Sequence, residues 1–411
     1  MNNLIWLEDM ENGTKDGLIK EALTKQIDKI YPSREALEAV LKSAKKLTIY
    51  WGVDPTAPDM HLGHSTNLFV LRRFQNLGHR IVVLLGDYTA QIGDPSGKDK
   101  KRRVLSEQEV KENLRTYRNQ VLKILNSKKT IFKFNSEWWK KMSARQLMEL
   151  DDLFTHQQMI ERDMFQQRIK KNKPISLKEF QYPILQGYDS VALKTDIELG
   201  ATDQLFNMLV GRELVRIFLK KEKFIVTTPL LIDPKTGNKL MSKSEGKYIS
   251  LDDSPNQMYG KIMALPDEVI LECFKLCTDL DVKKIKNIEA RLNSGENPKN
   301  LKAELAYEIT KIYHGEKGAK EAEEEFNKVF RKHELPGKMP VAILKKGPYD
   351  ATDLLLKLNL VKSKSEARRL VNENAVKVNG GIVKDPKIKI NVASGFVVQI
   401  GKKRFVKIEI K

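Results

Sequence analysis

A chain of 411 residues with 41% apolar content exceeds what one hydrophobic core usually organises, which predicts a large domain with one or two smaller ones. Its net charge of +19 is more than solubility requires and fits an extended polyanion as partner. Membrane, secreted and zinc-dependent classes are set aside, and a reducing cytoplasm is expected: no apolar run spans a bilayer, residues 1–17 lack the basic-then-apolar order of a signal peptide, and the only cysteines, Cys273 and Cys277, have no His pair at zinc-ligand spacing.

In chain order, residues 47–51 read as a strand, followed by a helical run to Leu77 closed by Gly78 and a second strand over residues 81–86. This order predicts a parallel sheet flanked by helices. A helical stretch from about residue 143 to 181 precedes strand signals at 190–199 and 224–232, so it reads as an insertion between two half-sheets. From Pro266 the chain turns helical and charged, with Leu301, Leu305, Ile309 and Ile312 on one face that Gly315 ends. Pro336, Gly337, Pro340, Gly347 and Pro348 mark a linker into a small C-terminal unit. Residues 331–411 hold 19 Lys and Arg against 7 Asp and Glu, so this fifth of the chain carries +12 of the +19.

Two stretches carry the chemistry. The first, directly after the first strand, is Asp54-Pro55-Thr56-Ala57-Pro58-Asp59-Met60-His61-Leu62-Gly63-His64, opening a helix. Unpaired N–H groups and the dipole at a helix start suit a triphosphate, Gly63 allows close backbone approach, and two imidazoles three residues apart can donate to phosphate oxygens as charge builds. The second is Lys239-Leu240-Met241-Ser242-Lys243-Ser244, after the turn Asp233-Pro234-Lys235-Thr236-Gly237, where flexible lysines can close on pyrophosphate. Alone, each has a bland alternative, a polar helix start and a solvated loop; the pair in this order is specific.

Together they resemble the paired His-Ile-Gly-His and Lys-Met-Ser-Lys-Ser signatures of class I aminoacyl-tRNA synthetases. Four further blocks narrow the resemblance to bacterial-type tyrosyl-tRNA synthetases: Tyr50-Trp51-Gly52-Val53-Asp54-Pro55-Thr56, Ile92-Gly93-Asp94-Pro95-Ser96-Gly97, Tyr182-Pro183-Ile184-Leu185-Gln186-Gly187-Tyr188-Asp189 and Gly200-Ala201-Thr202-Asp203-Gln204. The resemblance implies an α/β fold: a Rossmann-like catalytic domain with a connective insertion over 1–235, a signature loop and helical anticodon-recognition domain over 236–338, and a small α+β RNA-binding domain over 346–411. It implies that Tyr50 and Asp189 hold the substrate phenol, that Asp94, Tyr182 and Gln186 hold the α-ammonium, and that Asp54, Gly63, His64, Asp203, Gln204, Lys239 and Lys243 bind ATP or the adenylate. His61, His64, Lys243 and Thr56 would act on the phosphates. ATP with Mg²⁺ enters as a substrate complex, with no tightly bound cofactor and no metal site; the partners are tRNA(Tyr), L-tyrosine and a second copy of the chain in a homodimer, with no membrane. The sequence departs from the family pattern at Leu240, where the loop's leading Lys would stand, at Ala201 near the ribose, and at Trp51 beside the nucleotide.

Near the C-terminus, Ser363-Lys364-Ser365-Glu366 reads as a capping box, and Val376-Lys377-Val378-Asn379-Gly380-Gly381-Ile382-Val383 as a hairpin on an Asn-Gly turn. This unit resembles a small RNA-binding module first recognised in a ribosomal protein. A second basic cluster, residues 98–103, reads as a loop near ATP or the acceptor stem, or simply as solvated charge, and His79, His156, His314 and His333 read as packing or surface residues. Three rivals remain at this level: a tryptophanyl synthetase, opposed by Tyr50 with Asp189; a non-catalytic RNA-binding protein on a synthetase scaffold, opposed by His61, His64, Asp94 and Lys243; and a small nucleotidyltransferase, which needs no helical and RNA-binding extensions.

Overall fold

The computed structural model describes residues 14–43, 45–95, 105–241, 248–331, 339–401 and 404–411, which form two compact units, residues 1–319 and 320–411. In the first unit, six strands form one sheet: β1 (Ile30–Tyr31), β2 (Thr48–Val53), β3 (Arg80–Leu85), β4 (Thr130–Phe134), β5 (Ile197–Ala201) and β6 (Phe224–Thr228), in the order β1-β6-β5-β2-β3-β4. All neighbours are parallel except β1 on β6, so five strands form the expected parallel sheet with a short antiparallel edge. β3 after its first residue and all of β6 are buried on both faces, as a sheet covered by helices on each side requires. The parallel part of the sheet starts at β2, builds outward through β3 and β4, then returns beside β2 with β5. Strand order therefore reverses between β2 and β5, and the crevice beyond their carboxyl ends is where such folds place ligands.

Between β4 and β5 lie the helices Ala144–Asp151, His156–Ile160, Asp163–Lys170 and Leu177–Ala192, the expected insertion between half-sheets. The strand expected over 190–199 is a correction. Ser190 and Val191 finish the buried face of the helix Leu177–Ala192, Lys194 turns left-handed at φ 50°, and only Ile197 starts the strand. The strand expected to reach residue 232 stops at Thr228 because Pro229 has no N–H for the ladder. Leu301, Leu305 and Ile309 are buried as expected, but Gly315 (φ 75°, ψ 171°) interrupts rather than ends the helical run, which spans Pro298–Arg331. Cys273 and Cys277 are buried free thiols on the helix Ile270–Cys277. No helix among the described residues is long and apolar enough to cross a membrane.

The second unit has its own core, with Leu354, Leu355, Val371, Val398 and Ile408 buried together. Continuing the strand numbering, β7 (Val341–Leu344), β9 (Val376–Val378), β10 (Gly381–Ile382), β12 (Val397–Ile400) and β13 (Arg404–Ile410) form a sheet in the order β10-β9-β12-β13-β7, and β8 (Gly347–Asp350) pairs with β11 (Lys389–Val392). The hairpin β9–β10 turns on Asn379 (φ 46°) and Gly380 (φ 84°), as the Asn-Gly pair predicts. Ser363 caps the helix Lys364–Asn372 by accepting from the Glu366 N–H at 3.1 Å, but Glu366 reaches back to the Lys362 N–H rather than to its own cap residue.

Candidate active site

The loop leaving β2 at the switch point delivers His61 to the start of a short 3-10 turn, Leu62–His64, that runs into the helix Ser65–Asn76. His61 Nδ1 accepts the Gly63 N–H at 3.2 Å, and His64 Nδ1 accepts the His61 N–H at 3.1 Å. Accepting at Nδ1 leaves the proton of a neutral His61 imidazole on Nε2, whereas His64 Nδ1 is also 3.1 Å from the His61 carbonyl oxygen, so either tautomer of His64 finds a partner there. Their centroids are 4.1 Å apart, and Trp51 meets His64 edge-on at 6.2 Å. A Cβ on Gly63 would stand 3.0 Å from the His61 ring, so this glycine is required by its neighbour's imidazole.

The second signature is placed over its first three residues, 239–241, and the chain is described again from Tyr248. In that first half, Leu240 N–H donates to Leu231 O at 2.9 Å and Met241 is buried. After it, Ser250 bridges His61, Leu62 N–H donates to Ile249 O at 3.1 Å, and Leu251 N–H donates to Met60 O at 2.9 Å. The segment following the signature is thus hydrogen-bonded to the histidine turn on both sides of His61, and Tyr248 lies 6.5 Å from the His61 ring. Lys243 falls outside the described residues, as do the basic cluster 98–103 and His333. Lys239 is described: its Nζ pairs with Asp203 Oδ2 at 2.6 Å, which ties the first residue of the signature to the turn after β5. Thr56 is exposed, with its N–H on Asp54 O at 2.8 Å.

The loops after β2, β3, β4 and β5 supply the amino-acid end. Asp54 accepts the Thr89 hydroxyl at 2.8 Å and the Tyr182 hydroxyl at 2.9 Å, and Gly86 is obligatory here, since its Cβ would fall 2.1 Å from Asp54 Oδ1. Tyr182, expected beside Asp94, is therefore bonded to Asp54. Asp94 is buried and accepts from Gln204 Nε2 at 2.9 Å. Asn207 Nδ2 donates both to Gln204 Oε1 at 3.1 Å and to Gln186 Oε1 at 2.9 Å, which joins three of the expected residues in one chain.

Tyr50 and Asp189, expected to share one phenol, engage different partners. The Tyr50 hydroxyl is 3.0 Å from Ser190 Oγ. Asp189, 3% exposed, accepts at Oδ1 from the indoles of Trp138 (2.8 Å) and Trp139 (2.9 Å) and at Oδ2 from Asn135 (3.2 Å). Burial pushes its carboxyl up to about 8, against the pull of these three donors, while burial and the nearby Glu198 and Asp189 carboxyls raise the Tyr50 phenol well above its ordinary value. Asn135, Trp138 and Trp139 were not singled out from the sequence. Their signal was present as a Trp pair directly after a strand of the parallel sheet, where ligand-facing loops begin. Among the described residues no group of three or more His, Cys, Asp or Glu side chains is placed to hold a metal ion.

At the strand-order reversal, two imidazoles at the start of a helix and a group of carboxyls and amides, Asp94 and Asp189 among them buried, come from segments on the same edge of the sheet, a set of groups that suits a zwitterion joined to a nucleotide. Residues 42–331 match the family model of class I tRNA synthetases (W and Y), and residues 353–393 match the S4 domain. The chain is 43% identical to the tyrosine–tRNA ligase of Thermotoga maritima over 377 residues, 92% of this chain and 94% of that protein. It is 42% identical to that of Geobacter sulfurreducens over 402 residues, 96% and 97% of the two chains. Among solved structures, its fold is similar to a C-terminally truncated mitochondrial tyrosyl-tRNA synthetase of Aspergillus nidulans (TM-score 0.63, 24% identity, 79% of this chain and 96% of that one). It is also similar to a tyrosyl-tRNA synthetase of Archaeoglobus fulgidus complexed with L-tyrosine (TM-score 0.58, 20% identity, 75% and 100%). With a family match over most of its length and such relatives covering nearly all of it, the chain belongs to the class I tRNA synthetases of the tryptophan and tyrosine group, and within them to the tyrosine–tRNA ligases.

Proposed function

We infer that this chain attaches L-tyrosine to tRNA(Tyr) with ATP as the energy source, through a tyrosyl-adenylate. The tyrosine carboxylate attacks the α-phosphate of Mg²⁺-bound ATP in line, pyrophosphate leaves, and the tyrosyl group then moves to the terminal adenosine of the tRNA. The protein's share is positioning and electrostatic stabilisation. His61 and His64 donate to the phosphate chain, and Lys243 closes on the leaving pyrophosphate with Thr56 on the phosphate side. Asp54, Gly63, Asp203, Gln204 and Lys239 line the nucleotide; Asp94, Tyr182 and Gln186 receive the ammonium, and Tyr50 with Asp189 the phenol. The helical segment after the signature loop recognises the anticodon, the C-terminal unit grips RNA phosphates, and the enzyme works as a homodimer in the cytoplasm.

The observation that supports the site reading is the pairing of Met60 and Leu62 with Ile249 and Leu251, which holds the segment just beyond the second signature against the histidine turn. The test is exchange of labelled pyrophosphate into ATP with tyrosine, tryptophan and phenylalanine in turn. Exchange dependent on tyrosine is expected; exchange with none of the three would sink the reading.

A further inference from the structure

Behind the amino-acid end of the cleft lies a buried ion pair that none of these roles uses. Lys223, directly before β6, is 0% exposed and pairs with Glu198 in β5, 2% exposed. A buried pair of this kind is no better for stability than apolar side chains of the same volume, so its presence calls for another reason. Room for it is kept by Gly211, whose Cβ would stand 2.6 Å from Lys223 Nζ and 2.9 Å from Ser190 Oγ.

Glu198 is the sink of two hydrogen-bond chains. Ser190 Oγ donates to its Oε2 at 3.0 Å and also receives Lys223 Nζ at 3.0 Å, so the 3.0 Å contact with Tyr50 has the phenol as donor. Gln186 Nε2 donates to Oε1 at 3.1 Å, which turns Gln186 Oε1 towards Asn207. Asn207 then gives one hydrogen to Gln186 and one to Gln204, and Gln204 Nε2 ends on Asp94. A carboxylate accepts and cannot donate. With one at each end, the three amides have a single orientation, at the cost of leaving the buried Asn207 Oδ1 without a partner.

We propose that the Glu198–Lys223 pair is a positioning element for tyrosine recognition: it fixes the direction of hydrogen bonding so that Tyr50 offers lone pairs to the substrate phenol and Gln186 offers its carbonyl oxygen to the ammonium. This rests on the reading of Tyr50 and Gln186 as tyrosine-binding residues. The pair is removed together in Glu198→Gln/Lys223→Met, so that no buried charge is stranded, and compared with Gln186→Ala and the triple variant in pyrophosphate exchange. The pair variant is expected to raise the tyrosine KM about tenfold, the worth of one hydrogen bond to a charged group. The ATP KM and kcat stay near wild type, and on the Gln186→Ala background the further rise is smaller than on wild type, being only the share of the Tyr50 branch. An unchanged tyrosine KM, a KM effect additive with Gln186→Ala, or an equal loss in both KM values and kcat overturns the proposal. A Gln186→Ala variant with wild-type tyrosine KM would instead overturn the underlying role of Gln186. Ser190→Ala leaves the ion pair intact and cuts only the Tyr50 branch; it is expected to lower selectivity for tyrosine over phenylalanine, and unchanged selectivity overturns that branch.

Discussion

Asp189 is the residue whose environment most constrains its chemistry. Its folded pKa of about 8 stands above the ordinary 3.8, so the folded state holds the proton between those values. The stability this confers is complete below pH 3.8 and is lost as pH rises through 8. Asp189→Asn keeps a neutral side chain at every pH. The wild-type thermal midpoint should therefore fall relative to the variant from about pH 4 to about pH 8 and run parallel to it above that; curves parallel throughout would show that the carboxyl does not titrate there. With Asp189 in its proposed role as a partner of the substrate phenol, Asp189→Ala should lower selectivity between tyrosine and phenylalanine by about tenfold or more. A variant that still discriminates would clear Asp189 of that role. Asp189 was legible from the sequence because it sits in a recognisable block, whereas the three donors that hold it were not. Asn135, Trp138 and Trp139 come from beyond β4, some 50 residues away, and only the sheet order brings that loop beside the helix Leu177–Ala192.

Elements act here through where their ends fall. The histidine turn is placed because β2 stops at Val53 and the helix Ser65–Asn76 starts twelve residues later, a strand-then-helix order that hydrophobic periodicity shows, with the strand end two residues beyond the expected residue 51. The β5 boundary was misread because Ser190 and Val191 suit either a strand or the buried side of a helix, and tertiary packing decided between them. His64→Ala should slow adenylate formation by about a hundredfold, as loss of a donor to developing charge does, with tyrosine affinity little changed. Unchanged pre-steady-state rates would remove His64 from the mechanism. Two glycines separate close approach from backbone freedom. Gly86→Ala drives a methyl into Asp54 and should raise the tyrosine KM, since Asp54 holds Tyr182 and Thr89. Gly78→Ala, at φ 88° with nothing within 4 Å, should lower stability by about 1–2 kcal/mol and leave both KM values alone. Kinetic effects of equal size in the two variants would contradict this division.

On the scale of the whole molecule, the charge and the chemistry sit in different units. The crevice, both histidines and the described part of the second signature belong to residues 1–319, while +12 of the +19 net charge lies in residues 331–411. In the second unit, Lys362, Lys364 and Arg368 lie at or on the exposed side of the helix Lys364–Asn372, and Lys384, Lys387 and Lys389 are exposed between β10 and the end of the unit's small sheet. Phosphate contacts of this kind release counterions, so their loss should show as a flatter dependence of log affinity on log salt. A chain ending after residue 331 keeps the first unit's sheet and crevice intact and removes the separate core built around Leu354, Val371, Val398 and Ile408. It should retain tyrosine-dependent pyrophosphate exchange close to the full-length rate, yet charge tRNA at least about tenfold less well at physiological salt, with a shallower salt slope. Charging that survives the truncation unchanged would mean that the first unit alone grips the RNA, and that the basic excess of the second serves something else.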